Sequence, residues 1–423
     1  MNTGYASKDK PWRKYYTDDE LNLEVPDMSL TDYITKLNKD RLYLTALNYL
    51  NKKITYEELL DNIDKTSKRF QALGVKEEDY VSLAMPLTPE TIYFIYGLDK
   101  IGANANLIDP RIPEEKMRFY LNLAKTKLSF VVSSYAETMI NASRNTSTKS
   151  VYDVSPIAFL SKEEKLKLME EIEKREIRKI KLELLKQELF YNLNNAINKE
   201  KIYNYSKFEK INGSDLVVPE YRSGKTSVIE YTSGTSGDPK GVKLGNKSFT
   251  GLAHFQHESL KNEIGDKFLL IMPPFIAYGL VIGMHDMLCQ GQHLLMIPNF
   301  TLDKAPKMLG KLINKYHPEY IMGVPNFLTI LMNYRKDLSF LKGMIIGGDH
   351  LNAEIERQAR DFLISCNSKA QICKGWGMTE IASCGTFTKT DGANNIGSVG
   401  IPLSKNNVKI LKAIKDDNAR YDI

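Results

Sequence analysis

Segments with helical periodicity alternate with short apolar segments along most of the chain. In the first pair, apolar residues recur at helical spacing from Thr55 to Ala72, Gly74 ends the helix, and a strand-like run covers Tyr80 to Ala84. The next pair is a helical segment from Pro89 to Ile101 and a strand-like segment from Ala103 to Ile108. This alternation predicts an α/β fold with mainly parallel sheets.

Six more strand-like segments follow, and each is succeeded by Gly, Pro or Ser within a few residues. They cover residues 227–231, 268–272, 293–297, 320–324, 343–346 and 371–374. In open α/β sheets ligands bind where the strands end in such loops. We therefore expect the functional residues in the loops that follow these strands.

Composition indicates a folded, soluble chain with a large core, since 42% of the 423 residues are hydrophobic and 26% are charged. The net charge of +6 is not gathered into a basic cluster with interleaved aromatic residues, so no nucleic-acid partner is expected. The four cysteines form no CxxC pair, which favours reduced thiols. No apolar run follows the basic N-terminal residues, so we expect no signal peptide and a cytoplasmic location.

Two segments could be mistaken for other structures. The uncharged run from Phe268 to Met284 is shorter than the ~20 residues of a spanning helix and contains Pro273 and Pro274, so it predicts a buried strand followed by a loop and no membrane span. Residues 161–210 are rich in Lys and Glu with an approximate apolar stripe. This pattern predicts an amphipathic helical excursion packed on the main body, because no heptad repeat is sustained.

The most specific motif is the segment 231–242, YTSGTSGDPKGV, directly behind a predicted strand. Glycines let a backbone approach a polyanion, and exposed N–H groups and hydroxyls donate to phosphate oxygens. Lys240 adds a positive charge. The sequence therefore predicts a cradle for a triphosphate, formed by Thr232, Ser233, Gly234, Thr235, Ser236, Gly237 and Lys240.

This loop is not a Walker A motif, because Pro239 stands where that motif requires a glycine. Its length, order and terminal Pro-Lys-Gly resemble instead the signature loop of the adenylate-forming superfamily, which includes the acyl-CoA synthetases. The resemblance covers nearly the whole chain from about Thr55 onward. It implies that Lys240 and the loop hydroxyls hold the β and γ phosphates of ATP.

A second cluster, GWGMTE at 375–380, follows the strand-like segment at 371. By resemblance to the family, Trp376 stacks on adenine beside Gly377, Thr379 meets the α-phosphate, and Glu380 binds Mg²⁺. A carboxylate is a hard oxygen ligand that suits Mg²⁺ beside phosphates, and a broad ring offers a face to a base. The family more often has Tyr where this chain has Trp376, a change that keeps stacking and removes a hydroxyl.

A third motif is the turn Gly347-Gly348-Asp349 at the end of a strand-like segment. The resemblance implies that this turn meets the adenine. An ordinary strand-to-helix turn with Asp349 as the helix cap is an equally good interpretation of these residues.

The resemblance implies a fold of two doubly wound α/β subdomains plus a small β-barrel-like subdomain. Residues 1–423 then correspond to the N-terminal large, AMP-binding domain, with the helical excursion near 161–210. The family's C-terminal small domain, expected in the complete protein, has no counterpart here, since no Thr-Gly-Asp motif follows Ile410. On that ground weak or no turnover is expected of this chain alone.

The implied reaction is the activation of a carboxylic acid by ATP and Mg²⁺ to an acyl-adenylate, with release of pyrophosphate and later transfer to the thiol of coenzyme A. Lys240, Thr379 and Glu380 are the expected catalytic residues. Ile276 stands where the family often has His, which removes a hydrogen-bond donor. An aliphatic or aromatic acid is expected in an apolar pocket formed by Ile276, Tyr278, Gly279, Gly323 and Gly377.

Three alternatives stay open. The acyl group could pass to a carrier-protein thiol instead of coenzyme A. The chain could bind AMP or ATP without turnover. A purely structural protein is the third alternative, and the intact phosphate loop argues against it.

Overall fold

The computed structural model describes residues 3–161, 163–165, 202–232, 239–260, 262–297, 305–333, 336–390 and 392–411. Most of the predicted helical excursion and the middle of the predicted phosphate loop lie outside these residues. At the end of the excursion the described residues form a short strand, Ile202–Asn204, and a short helix, Tyr205–Glu209.

Sixteen strands are present in the described part of the chain. In chain order, β1 to β16 are Thr45–Tyr49, Lys52–Thr55, Tyr80–Ala84, Asn104–Leu107, Leu128–Val132, Ser150–Val154, Ile202–Asn204, Thr226–Tyr231, Gly241–Gly245, Lys267–Leu270, His293–Met296, Tyr320–Gly323, Gly343–Ile346, Gln371–Trp376, Thr386–Phe387 and Ile401–Pro402.

The helices are distributed between these strands. In chain order, α1 to α13 are Ala6–Asp9, Asp18–Asn22, Leu30–Asn38, Tyr56–Ala72, Pro89–Lys100, Glu114–Leu123, Ala136–Ser143, Tyr205–Glu209, Asn246–Leu260, Met287–Cys289, Ala305–Tyr316, Pro325–Met332 and Ala353–Ser365. Three short 3₁₀ turns cover Pro11–Tyr15, Ser133–Tyr135 and Thr379–Ile381, and a π-helix covers Tyr278–Asp286.

Two sheets organise the fold. The first, sheet A, has the strand order β16-β15-β14-β13-β12-β10-β11-β1-β2, and its strands from β14 to β1 are parallel. The second, sheet B, has the order β7-β6-β5-β3-β4-β8-β9 and is parallel from β7 to β8. The prediction of an α/β fold with two mainly parallel sheets is confirmed.

The two sheets share one hydrophobic core. Phe268 of sheet A and Val81 of sheet B belong to the same cluster of buried side chains. Helix α5 is buried along nearly its whole length, and its Phe94 lies 4.4 Å from Phe130 of β5, measured between ring centroids. Helix α4 begins with a capping box formed by Thr55 and Glu58, which satisfies the first free N–H groups of that helix.

One sequence-based expectation needs correction. After β10 the expected loop is only a short link, because the apolar residues that follow form the fully packed π-helix Tyr278–Asp286. Two short strands, β15 and β16, continue from β14 in antiparallel fashion at the end of sheet A.

Within the described residues, no helix combines the length and the apolar character needed to span a bilayer. All four cysteines are unpaired and buried, as expected for small apolar side chains.

Candidate functional site

The predicted phosphate loop joins β8 to β9 as a hairpin at the edge of sheet B. The two strands are antiparallel, with Tyr231 opposite Gly241, and the backbone N–H of Thr232 donates to the carbonyl oxygen of Lys240 at 3.1 Å. Thr232 is half-buried and Lys240 is exposed. The hairpin therefore closes directly at the base of the loop. The structure does not describe the remaining predicted phosphate ligands, which are Ser233, Gly234, Thr235, Ser236 and Gly237.

The base of this loop is anchored by an aromatic pair. Tyr231 stacks on Tyr120 of α6, with ring centroids 3.5 Å apart and ring planes 8° from parallel. The hydroxyl of Tyr231 donates to Oδ1 of Asn106 at 2.7 Å. The residue that opens the loop is thus held between a helix and the neighbouring strand β4.

The second motif lies on the tight connection between β14 and β15. The N–H of Gly385 donates to the carbonyl of Trp376 at 2.8 Å, and Thr379–Ile381 forms a 3₁₀ turn inside the connection. Ser383 has a φ of 106°, and a Cβ on Gly377 would lie 1.3 Å from the carbonyl oxygen of Ser383. Only glycine fits at position 377, because any side chain would collide with the backbone of the returning chain.

The two motifs are neighbours in space. Strand β9, which leaves the phosphate loop, lies against the 3₁₀ turn Thr379–Ile381, with Cα atoms of the two elements within 8 Å. Glu380 on that turn is exposed, and Thr379 is half-buried. The exit of the phosphate loop and the predicted α-phosphate and metal residues therefore face a common region.

A cleft with a volume of about 160 Å³ lies beside this turn. Seven of the predicted site residues line it: Ile276, Tyr278, Gly347, Gly348, Trp376, Gly377 and Thr379. The side chain of Trp376 is 49% exposed at this cleft. The other predicted residues that the structure describes lie outside its wall, and they are Thr232, Lys240, Gly279, Gly323, Asp349 and Glu380.

Asp349 does not cap the helix that follows it. Its Oδ1 accepts the N–H of the adjacent His350 at 2.7 Å, whereas α13 is capped by Asn352, whose side chain accepts the N–H of Glu354. The helix-cap interpretation of Asp349 is therefore wrong. Its contact with adenine stays a prediction, and Asp349 is exposed next to the cleft residue Gly348.

Tyr278 lies across the ends of two strands of sheet A. Its Oη lies 2.9 Å from the carbonyl oxygen of Ile345 and 3.1 Å from that of Gly323, so the hydroxyl donates to backbone oxygens. Burial raises the pKa of Tyr278 well above its ordinary value, so the hydroxyl stays protonated. Gly279 and Gly323 do not line the cleft, because Pro273 and Phe327 occupy the space next to them.

Sequence reasoning missed several residues that line the same cleft. They are Ala277, Ile282, Ile345, Ile346, Gly375, Met378, Ser383, Cys384 and Phe387. Four of them carried a signal: Ile345 and Ile346 end the strand that precedes the Gly347-Gly348 turn, and Gly375 and Met378 belong to the GWGMTE motif. The others come from segments whose approach to this cleft the sequence does not mark.

A buried ion pair supports the cleft from behind. Lys374, two residues before Trp376, lies beside Glu356 of α13, and Glu356 also accepts from Arg360 and from the N–H of Gly397. Burial alone raises the pKa of Glu356, but these hydrogen bonds outweigh it and lower the pKa below its ordinary value. A charged Glu356 therefore joins α13, β14 and the loop near 397.

Sequence comparison finds relatives that are named CoA ligases. A long-chain-fatty-acid-CoA ligase of Bacillus subtilis is 23% identical over 406 residues, which cover 93% of this chain and 67% of that protein. A probable 4-coumarate-CoA ligase of Dictyostelium discoideum is 23% identical over 416 residues, covering 96% of this chain and 69% of that protein.

Solved structures share the fold. A long-chain-fatty-acid-CoA ligase from Archaeoglobus fulgidus superposes with a TM-score of 0.74 at 19% identity, covering 94% of this chain and 73% of that one. An anthranilate CoA ligase in complex with anthranoyl-AMP gives the same TM-score of 0.74 at 16% identity, covering 95% of this chain and 68% of that one. The model of the AMP-binding enzyme family matches residues 37–420, and this chain therefore belongs to the AMP-binding enzymes.

Proposed function

We propose that this protein activates a carboxylic acid with ATP and Mg²⁺ as an acyl-adenylate, releases pyrophosphate, and in its complete form passes the acyl group to the thiol of coenzyme A. One observation carries the proposal. Trp376 and Thr379 line one cleft, and the exit strand of the phosphate-loop hairpin lies against the turn that bears Thr379.

In the reaction a carboxylate oxygen bonds to the α-phosphorus of ATP while the bond from that phosphorus to the bridging oxygen of pyrophosphate breaks. The carboxylate is already ionised at neutral pH, so no general base is needed. The protein positions the two reactants and stabilises negative charge on the phosphates. Lys240 and the loop hydroxyls serve the β and γ phosphates, and Thr379 serves the α-phosphate.

The adenine position follows from Trp376. Its half-exposed indole lines the same cleft as the Gly347-Gly348 turn, and a planar base against it would cover apolar surface that now faces water. Gly348 of this turn is exposed, so its backbone can be approached by the edge of a base. Asp349 lies next to this turn as a further polar partner.

The chemistry of Glu380 fits Mg²⁺. Its carboxylate is exposed on the turn beside Thr379, and Mg²⁺ in phosphate sites uses one or two carboxylates together with phosphate oxygens and water. No group of three or more His, Cys, Asp or Glu side chains that could hold an ion by itself occurs in the described part of the chain. The bound ion would supply positive charge to the phosphate oxygens.

Three finer points belong to the same proposal. Coenzyme A is the proposed acceptor because the relatives compared above are named CoA ligases, and a carrier-protein thiol is the alternative. Residues 1–423 are assigned to the large domain of the family. A cytoplasmic location is supported by four unpaired, buried cysteines.

The test measures binding and chemistry separately. Calorimetry with ATP and Mg²⁺ measures nucleotide affinity, and mass spectrometry after incubation with ATP, Mg²⁺ and a panel of acids detects acyl-adenylates. The proposal predicts ATP binding and, at the weak turnover expected of this chain alone, a trace of adenylate from at least one acid. ATP binding without any adenylate would leave a nucleotide-binding protein without turnover, and no ATP binding would reject the proposal and revive a structural role.

A further inference from the structure

The inner half of the cleft is lined by apolar side chains. We call it the acyl chamber and define it by Tyr278, Ile282, Ile345, Cys384 and Phe387. Apart from half-buried Tyr278, each of these residues is at most 6% exposed, whereas Trp376 and Ile276 at the mouth are 49% and 43% exposed. The cleft thus passes from an exposed mouth to an inner end lined by largely buried apolar side chains.

Tyr278 forms the floor of the acyl chamber. Its hydroxyl is held by the carbonyl oxygens of Ile345 and Gly323, at the ends of β13 and β12. A Cβ built on Gly347 would lie 3.2 to 3.4 Å from the atoms of the Tyr278 ring, which is closer than ordinary van der Waals contact. The ring therefore packs directly on the backbone at the strand ends and leaves no passage between them.

The space next to Gly279 and Gly323, which flank Tyr278 in sequence and at its hydroxyl, is also filled. A Cβ on Gly279 would lie 2.3 Å from the carbonyl oxygen of Pro273, and one on Gly323 would lie 2.2 Å from the ring of Phe327. Neighbouring atoms occupy the volume that these glycines leave free. A chain entering from the mouth therefore meets a closed end at Tyr278, since core atoms are close-packed beyond it.

The chamber carries no charge for a polar substrate tail. No Asp, Glu, Lys, Arg or His side chain is found among the described residues that line the cleft. The thiol of Cys384 donates to the carbonyl of Thr386, and burial raises its pKa to about 12, so it is neutral. A buried ammonium or second carboxylate would have no partner here, which costs several kcal/mol.

From this geometry we propose that the acid activated by this protein has a compact, uncharged tail, either a short or branched aliphatic group or a single ring, and that Tyr278 sets the length limit. The inference rests on the proposed function, because it places the acyl part of the adenylate in the acyl chamber. It separates this chain from a binder of long straight chains, which need a tunnel past the position of Tyr278.

The probes are non-hydrolysable acyl-sulfamoyl adenosines that carry acetyl, butyryl, benzoyl, octanoyl or palmitoyl groups, with unacylated adenosine sulfamate as the reference. Their dissociation constants are measured by calorimetry on the native chain. Each methylene that enters the chamber should tighten binding about fourfold, from ~0.8 kcal/mol per buried methylene. The gain should end before octanoyl, and palmitoyl should bind at least about tenfold more weakly than the best compact analogue.

Two variants at the floor give the matched comparison. Tyr278→Ala should move the optimum toward octanoyl. Tyr278→Phe keeps the ring and should keep the native order of acyl groups, because the hydroxyl faces backbone carbonyls and not the ligand. Ile282→Ala, which widens the chamber from its wall, serves the same purpose as Tyr278→Ala if that variant is not folded.

The outcomes separate the two proposals. Binding of adenosine sulfamate together with affinity that keeps rising to palmitoyl would overturn the compact-acid inference and leave the nucleotide site intact. An optimal acyl group that is the same in Tyr278→Ala, in Ile282→Ala and in the native chain would also overturn it. No binding of any analogue, including the unacylated one, would reject the proposed function and the inference with it.

Discussion

Nζ of Lys374 lies 2.6 Å from Oε1 of Glu356, and the two side chains are 4% and 0% exposed. The pair joins helix α13 to strand β14 just before β14 delivers Trp376 to the cleft. Lys374 also donates to the carbonyl of Asn395 at 2.8 Å, so the loop that contains Gly397 is held by the same ammonium. The pair therefore positions two segments around the candidate site without facing the cleft itself.

Replacing Glu356 by Gln should lower the free energy of unfolding by about 3–5 kcal/mol, because it leaves the ammonium of Lys374 buried without its counter-charge. Urea unfolding at neutral pH measures this loss. Glu354→Gln on the same helix is the control, since the Glu354–Arg357 pair is largely exposed and should contribute at most ~1 kcal/mol. Equal losses in the two variants would contradict a buried, paired Glu356.

The same pair has a defined pH dependence. Since the folded-state pKa of Glu356 lies below its ordinary value of 4.5, the stabilisation by its charge is present above pH 4.5 and is lost as the pH falls through the lowered pKa. Glu356→Gln should therefore flatten the acid limb of the stability curve.

Gly377→Ala should disrupt the connection between β14 and β15, because its added carbon would overlap the carbonyl of Ser383 at 1.3 Å. We expect loss of nucleotide binding together with a lowered melting temperature. Gly74→Ala is the control: Gly74 has a positive φ, of 80°, unlike Gly377, and nothing lies within 4 Å of its added carbon, so only the left-handed backbone penalty of ~1–2 kcal/mol applies. A Gly377→Ala protein with native nucleotide affinity would contradict the close approach.

The elements that could be predicted from sequence are those with a clear period and a clear stop. Strands β3 and β13 were predicted to the residue, because each is a short apolar run bounded by turn residues. The segment Tyr278–Asp286 was not, since it is apolar on every side and shows neither a helical nor an alternating period. Such a segment acquires its π-helical form from packing rather than from local pattern.

Some residues of the candidate site could likewise be predicted from the sequence, and others could not. Gly377 was predicted from a local motif, and the structure gives it a specific steric reason. Gly279 and Gly323 were predicted to line the acid pocket, but Pro273 and Phe327 occupy the space next to them. Which atoms fill the space next to a glycine depends on segments distant in sequence, so the depth of the acyl chamber could not be inferred from the chain.

Glu230 makes stability fall with rising pH. It is 1% exposed on β8, and neither carboxylate oxygen has a hydrogen-bond partner among the described residues. Burial raises its pKa from 4.5 to about 8. Between these two values the folded state holds a proton that the unfolded state has lost, so stability falls with rising pH by about 1.4 kcal/mol per unit.

Glu230→Gln should remove this part of the pH dependence and raise stability above pH 8 relative to the native chain. Thermal unfolding between pH 5 and pH 9 measures it. Burial also raises the pKa of Glu90 and of Asp153 to about 7, so a weaker decline with the same sign should persist in the variant. Glu115→Gln, on the exposed face of α6, should leave the curve unchanged. An identical decline in Glu230→Gln and the native chain would show that Glu230 ionises freely.

Glu380→Gln should weaken the Mg²⁺ dependence of ATP binding and leave AMP binding without metal almost intact. The amide keeps the size of the side chain but loses the charge that a hard cation needs. Calorimetric titrations of ATP at several Mg²⁺ concentrations measure the effect. Glu354→Gln, another exposed carboxylate, is the control. A Glu380→Gln protein whose response to Mg²⁺ matches the native chain would refute the metal assignment.

Lys240→Ala should weaken ATP binding about 10- to 100-fold and AMP binding much less, because a hydrogen bond to a charged group contributes ~1.5–3 kcal/mol and this ammonium is placed to meet the distal phosphates. The comparison is Lys243→Ala, an exposed lysine three residues further along β9. Both variants remove one positive charge from the arm of the hairpin that leaves the loop, Lys240 just before β9 and Lys243 within it, so a general electrostatic effect would weaken ATP binding equally in the two. If only Lys240→Ala weakens binding, and only that of ATP, the Lys240 side chain must contact the triphosphate directly. Its position allows this, because the backbone carbonyl of Lys240 accepts the N–H of Thr232 at the end of the hairpin while its side chain is exposed. Equal losses of ATP and AMP in Lys240→Ala would move this lysine to the α-phosphate.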